Sequence, residues 1–191
     1  FPSTVLGLFH SGLTPVFVDP GMGIRPLLRC AKQANVETIV TTTKLWWLAK
    51  LISYRLPSVK RILTAEHMSR SKQNSPLPSV QAQQAAILFT SGSTGAAKPV
   101  IYTHKVFCSQ VELIQSMFDL SPDDIDFAAF PLFSLFSISM GMTSIMPTFS
   151  PSRPARANPK PVADILAKYK VSFTAGSPAI WEKVGKFCQT N

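Results

Sequence analysis

The chain reads as an α/β fold of mostly parallel strands covered by helices, and three observations predict it. Short β-branched runs alternate with segments whose apolar residues recur at helical spacing. Strand–helix–strand alternation supplies the crossover connections that parallel pairing needs. A composition of 46% hydrophobic and 15% charged residues over 191 positions supports a full core and argues against disorder.

Taken in order, residues 3–11 predict a helix end, with Gly12 as its C-cap. A short strand follows over 15–18. Residues 24–35 carry Leu27, Leu28, Ala31 and Ala34 at helical spacing, and 38–42 form a strand. A helix over 44–55 places Leu45, Leu48, Ala49 and Ile52 on one side. Trp46 and Trp47 are expected as core or interface aromatics rather than a nucleotide stack. A further strand covers 61–64. Residues 66–84, rich in Ser, Gln and Pro, break the pattern and read as a linker or surface loop.

The second half resumes with a strand over 85–90 and extended chain over 100–102. A helix spans 105–118, and Ser121-Pro122-Asp123-Asp124 forms a turn. Strands are expected at 126–130 and 143–146, a Pro-rich surface loop at 151–161 and a helix at 162–169. The last strand covers 172–175. A helix over 178–187 is entered by Ser177 as N-cap with Pro178 at its first position.

The uncharged stretch 127–152 raises a membrane helix as one reading. Pro131, Gly141, Pro147 and several hydroxyl residues favour the other, two buried strands around a short helix.

The most informative motif is Thr90 to Pro99, TSGSTGAAKP, directly after Ala85-Ala86-Ile87-Leu88-Phe89. A strand here runs into a loop of small residues ending in one lysine. Glycines let the backbone approach a ligand, successive N–H groups face anionic oxygens, and hydroxyls add donors. Lys98 adds a compact positive charge. The spacing is neither that of a Walker A loop nor of a dinucleotide fingerprint, and no G-x-S-x-G elbow is present.

The loop resembles that of the adenylate-forming (AMP-binding, acyl-CoA synthetase and luciferase-like) superfamily, an aromatic residue followed by T/S-S-G-S/T-T-G-x-P-K-G. Phe89, Thr90, Ser91, Gly92, Ser93, Thr94, Gly95 and Lys98 match; Ala97 stands where Pro is usual and Pro99 where Gly is usual. The segment from Gly7 to Pro20 is similar to the upstream helix–strand–Asp-Pro segment, and Phe130-Pro131-Leu132-Phe133 to the segment lining the acyl pocket. Ser134 stands where many members have His. Asp19-Pro20-Gly21-Met22-Gly23, the stretch around Gly141-Met142-Thr143 and Gly176-Ser177-Pro178-Ala179 resemble the olefin-pathway β-lactone synthetases most.

The resemblance implies a partial large N-terminal domain of such an enzyme, with 1–65 a βα subdomain, 66–84 the linker and 85–191 the phosphate-loop and acyl-pocket subdomain. Phe1 opens inside an apolar segment, and the chain is read as a piece of a larger enzyme with little or no turnover alone. The implied activity is acyl adenylation with ATP and Mg2+. The next step would be β-lactone closure of a long-chain 2-alkyl-3-hydroxy acid, or transfer to CoA or a carrier.

Thr90, Ser91, Gly92, Ser93, Thr94, Gly95 and Lys98 are the candidates for the β/γ-phosphate cradle, and Thr94 also for a hydroxyl near the Mg-bound phosphate. Phe133, Ser134, Leu135 and Phe136 are acyl-pocket candidates, with plain core packing equally open. Gly176, Ser177 and Pro178 would form the next wall, since ligands of open α/β sheets collect beyond strand C-termini. No residue is assigned as catalytic. His104 is expected as a structural histidine and Asp19 as a turn former.

A net charge of +9 suits an anionic ligand, yet the 19 Lys and Arg residues are scattered and no nucleic-acid signature accompanies them. Three widely spaced cysteines argue against a disulfide scaffold and for a reducing, cytoplasmic setting. Three histidines lack zinc-site spacing. The partners implied are a small fatty or hydroxy acid and ATP. Peripheral association with a membrane, or with other olefin-pathway enzymes, stays open. The reading from another class is a non-catalytic lipid- or membrane-binding module.

Overall fold

The computed structural model describes residues 1–70, 83–90, 97–150 and 153–190. The chain forms two compact units, Ser3–Lys105 and Val106–Asn191, the latter joined by Phe1–Pro2.

The first unit opens with α1 (Pro2–His10) and β1 (Val16–Phe17). Asp19 is a turn former: its Oδ1 accepts from Gly21 N at 2.8 Å, and its carbonyl accepts from Met22 N. Then follow α2 (Ile24–Gln33), β2 (Thr38–Thr41), α3 (Trp46–Ser53) and β3 (Arg61–Thr64). β2 and β3 pair in parallel from Thr38↔Arg61 to Thr41↔Thr64, with α3 as their crossover. Residues 66–70, inside the stretch whose composition reads as linker, instead belong to a helix, α4 (Ala65–Arg70). Thr64 Oγ1 accepts from His67 N at 3.3 Å, which is how this helix is capped. Residues 71–82 lie outside the described residues. β4 (Gln84–Thr90) pairs in parallel with β1 and antiparallel with β5 (Lys98–Thr103).

The second unit is built on a parallel sheet of order β7-β6-β8. Its elements are α5 (His104–Phe118), which begins in the first unit, β6 (Ile125–Phe127), α6 (Ser134–Ser139), β7 (Thr143–Ile145), α7 (Pro159–Lys168), β8 (Phe173–Thr174) and α8 (Pro178–Thr190). The uncharged stretch is thus resolved as two strands around a short helix. No helix among the described residues is long and apolar enough to cross a membrane. The turn at 121–124 is closed by Asp124 N donating to Ser121 O, and the Asp124 carboxylate accepts from Ser121 N and Oγ.

Side chains of the central strand β6 alternate between the two sheet faces, as a period of two requires. Phe127 is fully buried with Val162 of α7 and with Ile180 and Val184 of α8, and Trp181 meets its ring edge-on. Burying a phenylalanine this completely contributes about 1.5–3 kcal/mol. Asp126 is buried on the other face, where its Oδ2 accepts from Ser137 Oγ of α6 at 2.7 Å and Ser144 Oγ of β7 at 2.9 Å.

A repeated device ends the helices. Gly12, Asn35, Asp119, Gly141 and Lys170 all have φ between 48° and 83°. In each case the next residue, Leu13, Val36, Leu120, Met142 or Val171, donates its N–H to the carbonyl five positions back, at 2.9–3.1 Å. That is the Schellman closure, which satisfies a carbonyl the helix leaves open and turns the chain toward the following strand.

Two expectations are corrected. Trp46 and Trp47 are exposed, which removes the core alternative and leaves the interface one. The helix buries Ala49 instead, with Leu48 and Ile52 half-buried. Leu45, expected on that buried side, is exposed as well. Of the cysteines, all free, Cys30 on α2 is 1% exposed while Cys108 and Cys188 face solvent. Burial pushes the Cys30 thiol up from its ordinary range.

Candidate functional site

The first candidate region is the hairpin of β4 and β5. Ala85 and Ala86 anchor β4 in the core, and exposure rises along the strand to Thr90. Thr90 is opposite Lys98, Phe89 opposite Pro99 and Leu88 opposite Val100. Pro99 has no N–H to give to a ladder; it sits on β5, an edge strand of this sheet among the described residues, where that loss is tolerated. Thr90 and Lys98, both exposed, therefore stand together at the open end of the hairpin. Ser91, Gly92, Ser93, Thr94 and Gly95 lie outside the described residues.

At the far end of β5, His104 donates its backbone N–H to Gln83 O at 3.2 Å. Its ring meets Phe9 edge-on at 5.5 Å, which fits a structural histidine.

The second region lies in the other unit, a hollow of about 240 Å³. It sits beyond the C-terminal ends of β6 and β8, where open α/β sheets collect their ligands. Ala129 and Phe130 follow β6, Phe133 closes a 3-10 turn before α6, and Gly176 and Ser177 join β8 to α8. Ile180 of α8 and Pro154 complete the lining. None of these side chains titrates, and most are apolar, so the wall suits hydrocarbon.

Gly176 is required by close approach. A Cβ there would lie 2.7 Å from Ala129 Cβ and 3.2 Å from Trp181 Nε1. Phe130 and Phe133 meet edge-on at 5.4 Å. Behind them Phe136 lies 6.4 Å from Phe133 and stacks on Phe107 at 4.9 Å.

The structure thus brings Phe133, Gly176 and Ser177 to the hollow. Ser134 and Leu135 are buried behind it, and the Ser134 hydroxyl donates to Pro131 O at 2.6 Å. Phe136 supports the wall through its neighbouring rings, and Pro178 is the first residue of α8. The Ser177 cap is weak, its Oγ accepting from Ala179 N at 3.4 Å. Pro154 and Ile180 escape sequence reasoning. Lys183 holds Pro154's segment, its Nζ donating to Ala155 O at 2.7 Å and Ala157 O at 3.4 Å.

Beneath this region Asp126 ties α6 to β6 and β7. Burial raises its carboxyl pKa above the ordinary range, and the two serine hydroxyls only partly offset that. Asp124 is lowered, chiefly because Ser172 Oγ donates to it at 2.7 Å. Among the described residues no three His, Cys, Asp or Glu side chains converge as a metal site.

A family model described as "AMP-binding enzyme" matches residues 1–190. The chain is 35% identical to the olefin beta-lactone synthetase of Xanthomonas campestris pv. campestris, over 97% of this chain and 36% of that protein. It is 34% identical to the protein of the same name in Stenotrophomonas maltophilia, over 95% and 35%. The chain therefore spans little more than a third of the length of these curated relatives. Among solved structures, apo MbtA of Mycobacterium smegmatis superposes with a TM-score of 0.82 at 22% identity, over 96% of this chain and 37% of that one. A long-chain-fatty-acid-CoA ligase of Archaeoglobus fulgidus gives 0.79 at 18% identity, over 98% and 39%. At these identities the structural likeness speaks for the fold.

Proposed function

Because the chain belongs to the AMP-binding enzyme family, we propose that its protein activates a fatty or hydroxy acid by adenylation. A carboxylate oxygen attacks the α-phosphorus of ATP, the bond from that phosphorus to the β-phosphate bridge breaks, and pyrophosphate leaves. The observation that carries this reading is the hairpin that sets Thr90 across from Lys98 at the two ends of a glycine- and hydroxyl-rich loop.

The attack brings two anions together, so the protein must neutralise charge and fix the phosphates in line. Lys98 places an ammonium group at the loop's exit, and Thr90 a hydroxyl at its entrance. Backbone N–H groups and the hydroxyls of Ser91, Ser93 and Thr94 are the further donors in this proposal. A donor set of hydroxyl and amide groups without thiolates fits a hard cation such as Mg2+. When bound with the nucleotide, that ion supplies neutralisation of the phosphate oxygens, and Thr94 is the residue we assign to it. The 240 Å³ hollow would seat part of the acid's hydrocarbon, with Phe133 and Gly176 shaping its wall.

For the second step we favour β-lactone formation. The 3-hydroxyl oxygen of a long-chain 2-alkyl-3-hydroxy acid attacks the activated carbonyl, the hydroxyl proton is lost and AMP departs. Support comes from the identity to two proteins named olefin beta-lactone synthetase over nearly the whole chain. Ser134 adds to it: where the family resemblance leads one to look for His, this chain has a buried hydroxyl already given to Pro131 O.

The test is exchange of labelled pyrophosphate into ATP by the intact protein, across a series of fatty and 3-hydroxy acids. Exchange that needs a long-chain acid is expected; none with any acid defeats the adenylation reading. Product analysis then separates the second steps. A β-lactone formed without CoA supports ring closure, and a CoA thioester replaces it with a ligase.

A further inference from the structure

We propose that the outer face of α3 and the groove beside it dock on an anionic phospholipid surface. This inference stands on the Ser3–Lys105 unit alone and does not depend on the adenylation reading.

The helix has more apolar surface than its sheet can cover. Ala49 faces inward, while Trp47, Leu51 and Tyr54 are 63%, 59% and 77% exposed. Their spacing of four and then three residues sets them in one stripe, and Tyr54 keeps helical backbone angles. Single exposed apolar residues need no explanation, but two tryptophans and a leucine on one short helix, with a tyrosine at its end, do.

Beside that stripe lies a half-open groove of about 340 Å³. Trp46 and Tyr54 form its aromatic sides, and Lys50, Lys60 and Arg61 supply its charge. The Lys50 ammonium stands 5.2 Å over the Trp46 ring. Lys60 pairs with Glu37 at 3.0 Å, both largely exposed, so water screens the pair and leaves Lys60 available to another anion.

Charge complementarity selects the occupant. Residues 44–61 contain Lys44, Lys50, Arg55, Lys60 and Arg61 and no Asp or Glu. Tryptophan and tyrosine settle at the headgroup level of a bilayer, with ring bodies in the acyl boundary and polar tips outward. Lysine and arginine lay their stems along apolar surface and keep their charges at the phosphates. An apolar stripe flanked by cations is therefore the surface of an interfacial helix, lying on the membrane without crossing it.

The experiment is co-sedimentation of the full chain with vesicles of phosphatidylcholine, with and without roughly 30% phosphatidylserine. Binding is expected only to the anionic vesicles, with a blue shift of tryptophan fluorescence. Raising the salt should weaken it steeply, because exposed charges are screened. Each cation near the surface changes partitioning roughly fivefold, so the triple variant K50Q/K60Q/R61Q should lose about a hundredfold. W47A/L51A should abolish the spectral shift. All these positions are exposed, so circular dichroism should match the parent. The salt series on the unmodified chain decides the matter without any variant. Equal sedimentation with neutral and anionic vesicles would overturn the proposal. So would an unaffected triple variant, a preference for DNA over vesicles, or a lipid-free dimer that W47A/L51A dissolves.

Discussion

Thr90 and Lys98 face each other across β4 and β5, one closing the first strand and the other opening the second. Ladder pairing thus fixes the two residues that flank the loop. Lys98 is exposed, and among the described residues no ion pair engages it. Replacing it with Ala should leave the melting temperature unchanged and slow pyrophosphate exchange about ten- to a hundredfold. That is the usual worth of a hydrogen bond to a charged group. An unaltered exchange rate would remove Lys98 from the mechanism.

The contact between Gly176 and Ala129 gives a stability test. A methyl added at 176 must share space with Ala129 Cβ at 2.7 Å, and both residues line the hollow. Gly176→Ala should cost about 1–3 kcal/mol, the usual range for overpacking. Adding Ala129→Gly should restore most of the loss. Thermal denaturation of the two single variants and the double variant measures the coupling, and simple additivity would show that the two sites do not meet.

For Asp126 the sign follows from burial. Its folded pKa is raised, so the folded protein holds the proton more tightly than the unfolded chain does. Its contribution is fully present below about pH 4, the unfolded value, and is lost as pH rises through the higher folded value. Asp126→Asn removes that titration, so its stability relative to the parent should improve as pH rises from about 4 through the folded value and then level off, as read by urea unfolding. Asp126→Ala should be worse than Asn at every pH, since it strands the hydroxyls of Ser137 and Ser144. A flat difference between Asn variant and parent would refute the assignment.

Lys170 occupies the left-handed region with φ 50° at the end of α7. An L-residue there carries a steric cost of about 1–2 kcal/mol that glycine avoids, partly offset by glycine's greater freedom when unfolded. Lys170→Gly should therefore raise the melting temperature by a few degrees, on the order of 2–4 °C per kcal/mol for a chain of this size. Calorimetry reads this directly, and a lower melting temperature would mean that the Lys170 side chain contributes more than its backbone costs.

Periodicity carried the fold far because strand and helix patterns here agree with local propensity. The strand at Arg61–Thr64 falls where its β-branched and apolar residues put it, and the helix closure at Gly12 is readable because glycine advertises a left-handed turn. Asn35, Asp119 and Lys170 make the same closure invisibly. Their backbone angles are imposed by the apolar residue that follows and by the strand beyond it.

The core alternative for the two tryptophans fails for a related reason. Apolar count says a side chain prefers burial, but a helix over a two-stranded sheet has only one face to bury, and Ala49 holds it. In the hollow, Phe133, Gly176 and Ser177 were legible because strand ends point to such places. Pro154 and Ile180 were not, because the Lys183 tether and the α8 packing that present them are tertiary.

The contrast between Cys30 and its two solvent-facing counterparts makes the polypeptide its own reporter. An alkylating dye should count two fast thiols in the native state and release the third only when α2 lifts from its seat. Mass spectrometry of that slow third label would follow local opening of the first unit while the second keeps its shape, with no probe installed.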